Sequence, residues 1–474
     1  MSTDPSQAAA RRRDRRVYLR SHPVLFTLLA ATRGRPVRRL GRTLLVHDAA
    51  AYREALTRLP LDRTAAGTTG AAARAAGAGG VLFDQEGGAH RAERRGLAIG
   101  LGAAGVEELR AVWRPLLVRR LAPLARGGEV DLVELARELS GSVVCALLGS
   151  QADSRAVAEA AAEAAAASVR SHLPGPPRPR AEAAARQAAE RLQQLLSPVT
   201  NPATAPDPCP RTHRGNGNTT PTDSNSGPGT GPGAGTGGSG TGPGPGAGAG
   251  SGAGTSAGSA AATDSSTGTG PGTGAGSGAG AGSGAGASAG SAAATGPGTG
   301  TRSLGGVAAG DAALRAMLAV AAVNTTVAAL PRAVAWCADA GLWGQAADAR
   351  LRPVLAEELL RVTAASPVLP RVAAADGVVG GCPVRGGDRL LLVARHAAEA
   401  HRREPDAHRP AGPGTAHLVF GAGAHACPGA RLARAQLADV LEELAPYRPV
   451  VARARVDRRA ALPGWRELTV RAGA

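Results

Sequence analysis

The run Phe420-Gly421-Ala422-Gly423-Ala424-His425-Ala426-Cys427-Pro428-Gly429 sets one cysteine among glycines, an aromatic ring and an imidazole, just ahead of a helical pattern. A thiol at a helix entrance sits in positive potential, because the first backbone N–H groups are unpaired and the helix dipole points its positive end there. Such a setting lowers the thiol pKa, and the thiolate is the form that ligates metal. Pro428 suits a first helical turn, where no backbone donor is needed. Gly421, Gly423 and Gly429 permit unusual backbone angles and a close approach to a flat ligand, with N–H groups turned toward the sulfur. Phe420 can cover the sulfur's other side. The chemistry that these residue types suit is metal ligation by the Cys427 thiolate; an inert cysteine on a Gly-rich turn is the plainer alternative.

The string matches the heme-binding loop of the cytochrome P-450 family, F-G-x-G-x-H-x-C-x-G, at every specified position, and the chain resembles a soluble bacterial-type member. The resemblance runs from about Val24 to the C-terminus, apart from a central insert. It implies heme b (iron protoporphyrin IX) with Cys427 as metal ligand and Phe420, Gly421, His425 and Gly429 around the cofactor. Thiolate ligation favours O–O cleavage, so the implied activity is a monooxygenase placing one oxygen atom of O2 in a hydrophobic small molecule, in specialised metabolism. Glu358-Leu359-Leu360-Arg361 is similar to the family's E-x-x-R pair, a structural brace, and three-residue spacing does put both side chains on one helix face. In the family an arginine completes this brace; Arg402, Arg403 and Arg409 are the candidates. Arg371, after Leu369-Pro370, and His425 resemble propionate partners. His90 and Arg94 match an H-x-x-x-R helix that meets the propionates, although an exposed basic helix would read the same way.

On the distal side the resemblance points to the helix from Asp311 to about Ala340, whose centre reads Ala321-Ala322-Val323-Asn324-Thr325-Thr326. Thr325 stands where the family keeps a proton-relay threonine. Ala322 replaces a usual glycine, and Asn324 replaces a usual acid: an amide orients water but does not exchange protons. Both Thr325 and Asn324 are therefore catalytic candidates, with slowed or rerouted proton delivery expected. Val320, Ala321, Val368 and Leu369 are expected at the substrate, with the region Thr64 to Val81 and the turn Leu462 to Trp465. The implied partners are a ferredoxin or flavodoxin electron donor, docking near Arg434, and a small hydrophobic substrate. Two rivals stay open: a peroxide-using peroxygenase, suggested by Asn324, and a non-catalytic heme-binding auxiliary protein, against which the intact Cys427 argues.

These residues need helices to hold them. Apolar spacing predicts helices over Gly105 to Ala125, Val130 to Leu148, Ala152 to His172, Ala181 to Leu196 and Pro353 to Ala364, and a last helix after Cys427 with Ala433, Leu437, Val440, Leu441 and Leu444 on one face. Short strands are expected at Arg371 to Ala374 and Arg389 to Val393. The fold class is mainly α, the cytochrome P-450 fold with a small β-rich side.

Composition sets the outer limits. Aromatic residues are 2% of the chain, so Leu, Val and Ala must build the core, which favours packed helices. From residue 201 to 302 the sequence falls to Gly, Ala, Ser, Thr and Pro, too poor in large apolar groups to offset ordering entropy, and is read as a disordered insert between two parts of one domain, 21–200 and 303–474. The five cysteines form no close pairs, which excludes a disulfide framework or a Cys-x-x-Cys zinc site and suits a cytoplasmic location. The formal charge is +17 and all 54 basic residues are arginine. Residues 1–20, with Arg11, Arg12, Arg13, Arg15 and Arg16, are expected to be a solvated basic tail able to meet an anionic surface. Val24 to Thr32 is too short to span a membrane. The expectation is a monomer with no transmembrane segment and no nucleic-acid partner.

Overall fold

The computed structural model describes residues 5–68, 82–171, 179–197 and 312–473, with positions 70, 71, 74 and 80. A second unit, Ala203–Thr299, lies outside them, and so does the insert expected over 201–302.

Alanine, leucine and arginine are strong helix formers, and helices carry most of the described chain. α1 (Pro5–Ser21) and α2 (Pro23–Thr32) come first, then β1 (Val37–Leu40), β2 (Thr43–Val46), α3 (Ala49–Thr57) and β3 (Leu61–Asp62). Asp48 starts α3 by accepting from the Ala50 and Ala51 N–H groups. α4 (Gly87–Leu101), α5 (Ala103–Leu121), β4 (Glu129–Asp131), α6 (Leu132–Leu148), α7 (Ser154–Ser171) and α8 (Pro179–Leu196) complete the first block. The second holds α9 (Ala312–Asp339), α10 (Trp343–Ala347), α11 (Arg352–Thr363), β5 (Leu369–Ala373), β6 (Gly377–Val379), β7 (Cys382–Val384), β8 (Arg389–Leu392), α12 (Ala394–Ala397), α13 (Pro413–Ala416), α14 (Ala430–Leu444), β9 (Val450–Asp457) and β10 (Gly464–Arg471).

The long α9 is the axis of the core. It packs on α6, α7, α8, α11 and α1, and runs through Pro331 without a break. By length and composition it could cross a membrane, but much of its surface is buried inside the fold. Asp439 of α14, itself buried, accepts from Arg110 at 2.6 and 2.7 Å and from the Trp113 indole at 2.9 Å, which ties the helix after the cysteine loop to α5. The main sheet has the order β1-β2-β8-β5-β3, with β2 and β8 parallel and the other pairs antiparallel. A second sheet, β4-β10-β9, joins the first block to the C-terminus.

The helices expected from spacing form within a few residues of their predicted ends. The segment predicted from Val130 begins with β4, however, and turns helical at Leu132, where Asp131 caps it. The basic tail is a correction. Residues 5–21 are helix α1, and its Asp14 is buried against Arg332 at 2.6 Å and Arg395 at 3.2 Å. A buried carboxylate between two guanidinium groups anchors the segment, a contact over about three hundred residues that local composition does not reveal. Arg13 pairs with Asp339 and Arg11 with Glu404.

Candidate functional site

The cysteine loop is a series of tight turns. Cys427 N–H donates to the Phe420 carbonyl at 2.7 Å, Gly421 N–H to Leu418 at 3.0 Å and Ala426 N–H to Gly423 at 3.1 Å. Gly421 and Gly423 have φ of 82° and 71°, the left-handed region where glycine carries no penalty. A Cβ on Gly423 would stand 3.1 Å from the Leu56 carbonyl, so the loop rests on the end of α3. At Gly429 a Cβ would meet only the Cys427 sulfur, at 3.8 Å. The helix starts at Ala430 with Gly429 as N-cap, so Pro428 sits in the turn before it rather than in its first turn. Cys427 opens to solvent on one side, yet the protein around it strips enough water to push the thiol pKa up; the Gly429 N–H, Arg94 and Arg434 pull the other way and do not overcome it. The expected depression of the thiol is thus absent in the protein alone, and a bound metal would have to fix the thiolate.

Beside the loop lies a cluster of arginines and histidines. The rings of His90 (α4) and His425 stack at a centroid distance of 3.8 Å. Arg94, one turn on from His90, donates to the Ala426 carbonyl. Burial, with Arg63, His90, Arg371 and Arg94 close by, brings His425 down to about 3. Burial and Arg63 bring Arg371 (β5) down to about 10, and burial with Arg94 and Arg63 lowers His90. Among the described residues the buried His90 Nε2 and Arg371 Nε find no hydrogen-bond partner. Glu86, largely exposed, lies 3.3 Å from Arg63. Arg63 was not legible in the sequence, since it precedes the segment expected at the substrate and belongs to no motif.

The brace is buried and complete. Glu358 and Arg361 are 1% and 0% exposed as side chains and meet in a bidentate pair at 2.7 and 2.9 Å. Arg361 also donates to the carbonyls of Ala398, Arg403 and Glu404, and Glu358 accepts from Ala411 N–H at 3.0 Å. No guanidinium of the three arginine candidates joins the brace: Arg403 offers its carbonyl and turns its side chain to Arg409 and Pro410, Arg409 pairs with Asp406, and Arg402 is exposed. Backbone groups fill the place expected of a third side chain.

On α9, Thr325 Oγ1 donates to the Ala321 carbonyl at 2.8 Å. Asn324 spends its amide N–H groups on Val320 O at 2.7 Å and on Ala161 O of α7 at 3.2 Å, so it bridges two helices and keeps only its oxygen as a free acceptor. Val320 packs on the main helical core, Val368 on a small cluster around Leu29 and Leu45, and Leu369 on the core beneath the main sheet. No described packing joins these expected substrate contacts into one patch. The turn before β10 does reach α9: a Cβ on Gly464 would lie 3.6 Å from Ala328. Part of the region Thr64 to Val81 lies outside the described residues. A recess of about 820 Å³ borders Asp62, Arg63, Thr64, Asp84, Glu86 and Val372, and one of about 520 Å³ borders Arg53, His417, Gly421 and Gly423. Arg434, expected as a docking charge, is instead engaged with Glu357 at 2.8 Å, His417 at 3.1 Å and the Phe420 ring at 4.7 Å.

No family model matches the chain. Among curated proteins it is 40% identical over 131 residues to the 20-oxo-5-O-mycaminosyltylactone 23-monooxygenase of Streptomyces fradiae, covering 25% of this chain and 30% of that protein. It is 37% identical over 99 residues to the mycinamicin VIII C21 methyl hydroxylase of Micromonospora griseorubida, covering 20% and 25%. The matches thus span less than a third of either relative. In three dimensions the likeness is broader: P450BioI in complex with an acyl carrier protein superposes with a TM-score of 0.61 at 15% identity, over 96% of this chain and 99% of that one. The Micromonospora hydroxylase gives 0.55 at 19% identity, over 93% and 95%. The chain has the cytochrome P450 fold, and its relatives are bacterial P450s.

Proposed function

We propose that the chain holds heme b through Cys427 and places one oxygen atom of O2 in a hydrophobic small molecule. The observation that carries this reading is the group of arginines and histidines beside the cysteine loop. Arg63, Arg94 and Arg371 gather there with the neutral imidazoles of His90 and His425, and among the described residues the buried His90 Nε2 and Arg371 Nε have no partner. A buried guanidinium without an anion is costly, and the two propionates of heme are anions that the arginines would pair and the imidazoles would hydrogen-bond. Relatives named as a monooxygenase and a hydroxylase support the reaction class.

Bound there, heme with a thiolate ligand would supply dioxygen activation. His90, Arg94, Arg371 and His425 would bind and orient its acidic edge. Phe420 accepts the Cys427 N–H through its carbonyl, and its ring lies under Arg434, so it fixes the loop that carries the sulfur. Thr325 gives its own proton to Ala321 and is left with lone pairs to hold a water at Oγ1 on the distal helix. Asn324 acts by fixing α9 against α7, since its donors are already used. Val320, Ala321, Val368 and Leu369 would offer the substrate apolar contacts, and a ferredoxin or flavodoxin would supply electrons.

The test is the carbon monoxide spectrum of the reduced, heme-loaded protein. The thiolate-shifted Soret band should appear and should vanish in Cys427→His, while a well-folded protein that takes up no heme would refute the proposal. One observation favours a second reading, peroxide-driven turnover: no acid stands at position 324 to feed protons to the distal site. Turnover with hydrogen peroxide and no electron donor, at a rate above that with ferredoxin, would select it.

A further inference from the structure

Helix α2 has the sequence Pro-Val-Leu-Phe-Thr-Leu-Leu-Ala-Ala-Thr, with no charged side chain. A surface helix in a soluble fold normally turns a polar face outward. Here the inward face, Leu25, Phe26 and Leu29, packs against Leu45, Val393 and Leu391 of the main sheet, and Leu29 alone of the helix is fully buried. The outward face carries Thr27 and two large apolar groups: Val24 is 82% exposed and Leu28, one turn on, is 39% exposed. Leu40 adds a third apolar group, 38% exposed. It lies on β1 opposite Thr43 and alternates onto the sheet face that carries Leu45, the face against which α2 packs.

The charges around this helix have one sign. Residues 5–46 contain 11 arginines and one acid, Asp14, which is buried and paired. Arg11, Arg13, Arg39 and Arg42 are taken up by Glu404, Asp339 and Asp388. The other seven are exposed and form no ion pair among the described residues. Arg12, Arg16 and Arg20 follow each other at four-residue spacing along one side of α1, with Arg15 beside them, up to the break at His22 where α2 begins. Arg33 caps the other end of α2, and Arg35 and Arg38 follow.

We propose that this face, α2 with its collar of arginines, docks the protein on an anionic lipid surface. Val24 and Leu28 would enter the headgroup boundary and the seven free arginines would meet lipid phosphates. At 10 residues α2 is about 15 Å long, half of a hydrocarbon core, so it lies in the interface and does not span it. Nucleic acid fits less well, because the exposed stripe offers methyl groups and no aromatic face or polar reader for a base. The docking reading is independent of heme binding.

Co-sedimentation of the full chain with vesicles tests it. Binding to phosphatidylcholine mixed with phosphatidylglycerol at low salt is expected, together with little binding to phosphatidylcholine alone and release at high salt. Val24→Asp/Leu28→Asp should weaken binding at least tenfold while the protein still unfolds in one cooperative urea transition, since Val24 faces solvent and Leu28 is partly exposed. Val24→Ser/Leu28→Ser gives the same readout if the aspartates prevent folding. Arg16→Gln/Arg20→Gln should weaken binding by roughly fivefold per charge removed. The proposal is overturned if the wild type ignores anionic vesicles at low salt, or if both apolar double variants bind as well as wild type. It also fails if the wild type is dimeric without lipid and the apolar variants are monomeric, which would make the face a contact between copies.

Discussion

At the scale of single residues, the site is a set of groups that the polypeptide alone leaves unsatisfied. Arg371 has its pKa lowered by burial and by Arg63, and its buried Nε meets no acceptor among the described residues. Keeping such a cation makes physical sense only where an anion arrives later, so stability and binding should part company at this position. Arg371→Leu is expected to stabilise the heme-free protein by on the order of 1 kcal/mol in urea unfolding and to weaken heme uptake in the same preparation. A loss of both would make the residue a structural one. Asn324 makes the opposite case, a polar side chain whose donors are both used. Asn324→Asp restores the acid usual in the family but points a carboxylate at the carbonyls of Val320 and Ala161. A cost of about 1–3 kcal/mol in unfolding free energy follows from two lost donors and new repulsion; a neutral or stabilising outcome would show that position 324 turns freely.

Among elements, α1 and α9 are the pair whose relation most affects the site. Asp14, Tyr18, Arg332 and Arg395 form one buried group in which both guanidinium carbons lie 4.4 Å from the Tyr18 ring centroid and the carboxylate bridges the two cations. Arg332 lies on α9 two turns beyond Thr325, so α1 is fixed to α9 near that residue. Asp14→Ala would leave Arg332 charged and buried without its partner, a loss of about 3–5 kcal/mol by chemical denaturation. An effect below 1 kcal/mol would return α1 to the status of a tail. The brace of Glu358 and Arg361 shows how far spacing alone can be read: a pair three residues apart in one helix had to share a face, and does. Its completion by the carbonyls of Ala398, Arg403 and Glu404 could not be anticipated, because backbone groups carry no sequence signature.

For the molecule as a whole, the histidines make stability depend on pH. His47 and His396 share a hydrogen bond of 2.8 Å between their Nδ1 atoms, one donating and one accepting, and the His401 ring lies tilted against His396 with centroids 4.8 Å apart. Burial lowers His47 to about 4 and His401 to about 4; burial, reinforced by His401 and His47, lowers His396 to about 2. Folded imidazoles stay neutral where the unfolded chain already takes up protons, so unfolding free energy should fall as pH drops from about 6.5 toward about 4. Urea midpoints at steps across this range measure it, and His396→Gln should flatten the slope; a flat profile in the wild type would contradict these depressed values. Below that range carboxylates held low by hydrogen bonds and arginines, such as Asp388 and Asp439, add to the loss as they protonate.

What the sequence determined by itself is the chemistry that is local in the chain. The cysteine loop, the E-x-x-R pair, the His90–Arg94 pair and the helical class all rest on neighbours within a turn or two, where covalent geometry dictates who meets whom. Tertiary structure decided the rest. Packing across hundreds of residues brought Arg63 to the arginine and histidine cluster beside the loop, turned a basic tail into a helix anchored at Asp14, engaged Arg434 with Phe420 and used Asn324 as a tie between α7 and α9. It also set the Cys427 thiol above its ordinary pKa, because desolvation depends on every atom that surrounds the sulfur and not on the loop that carries it.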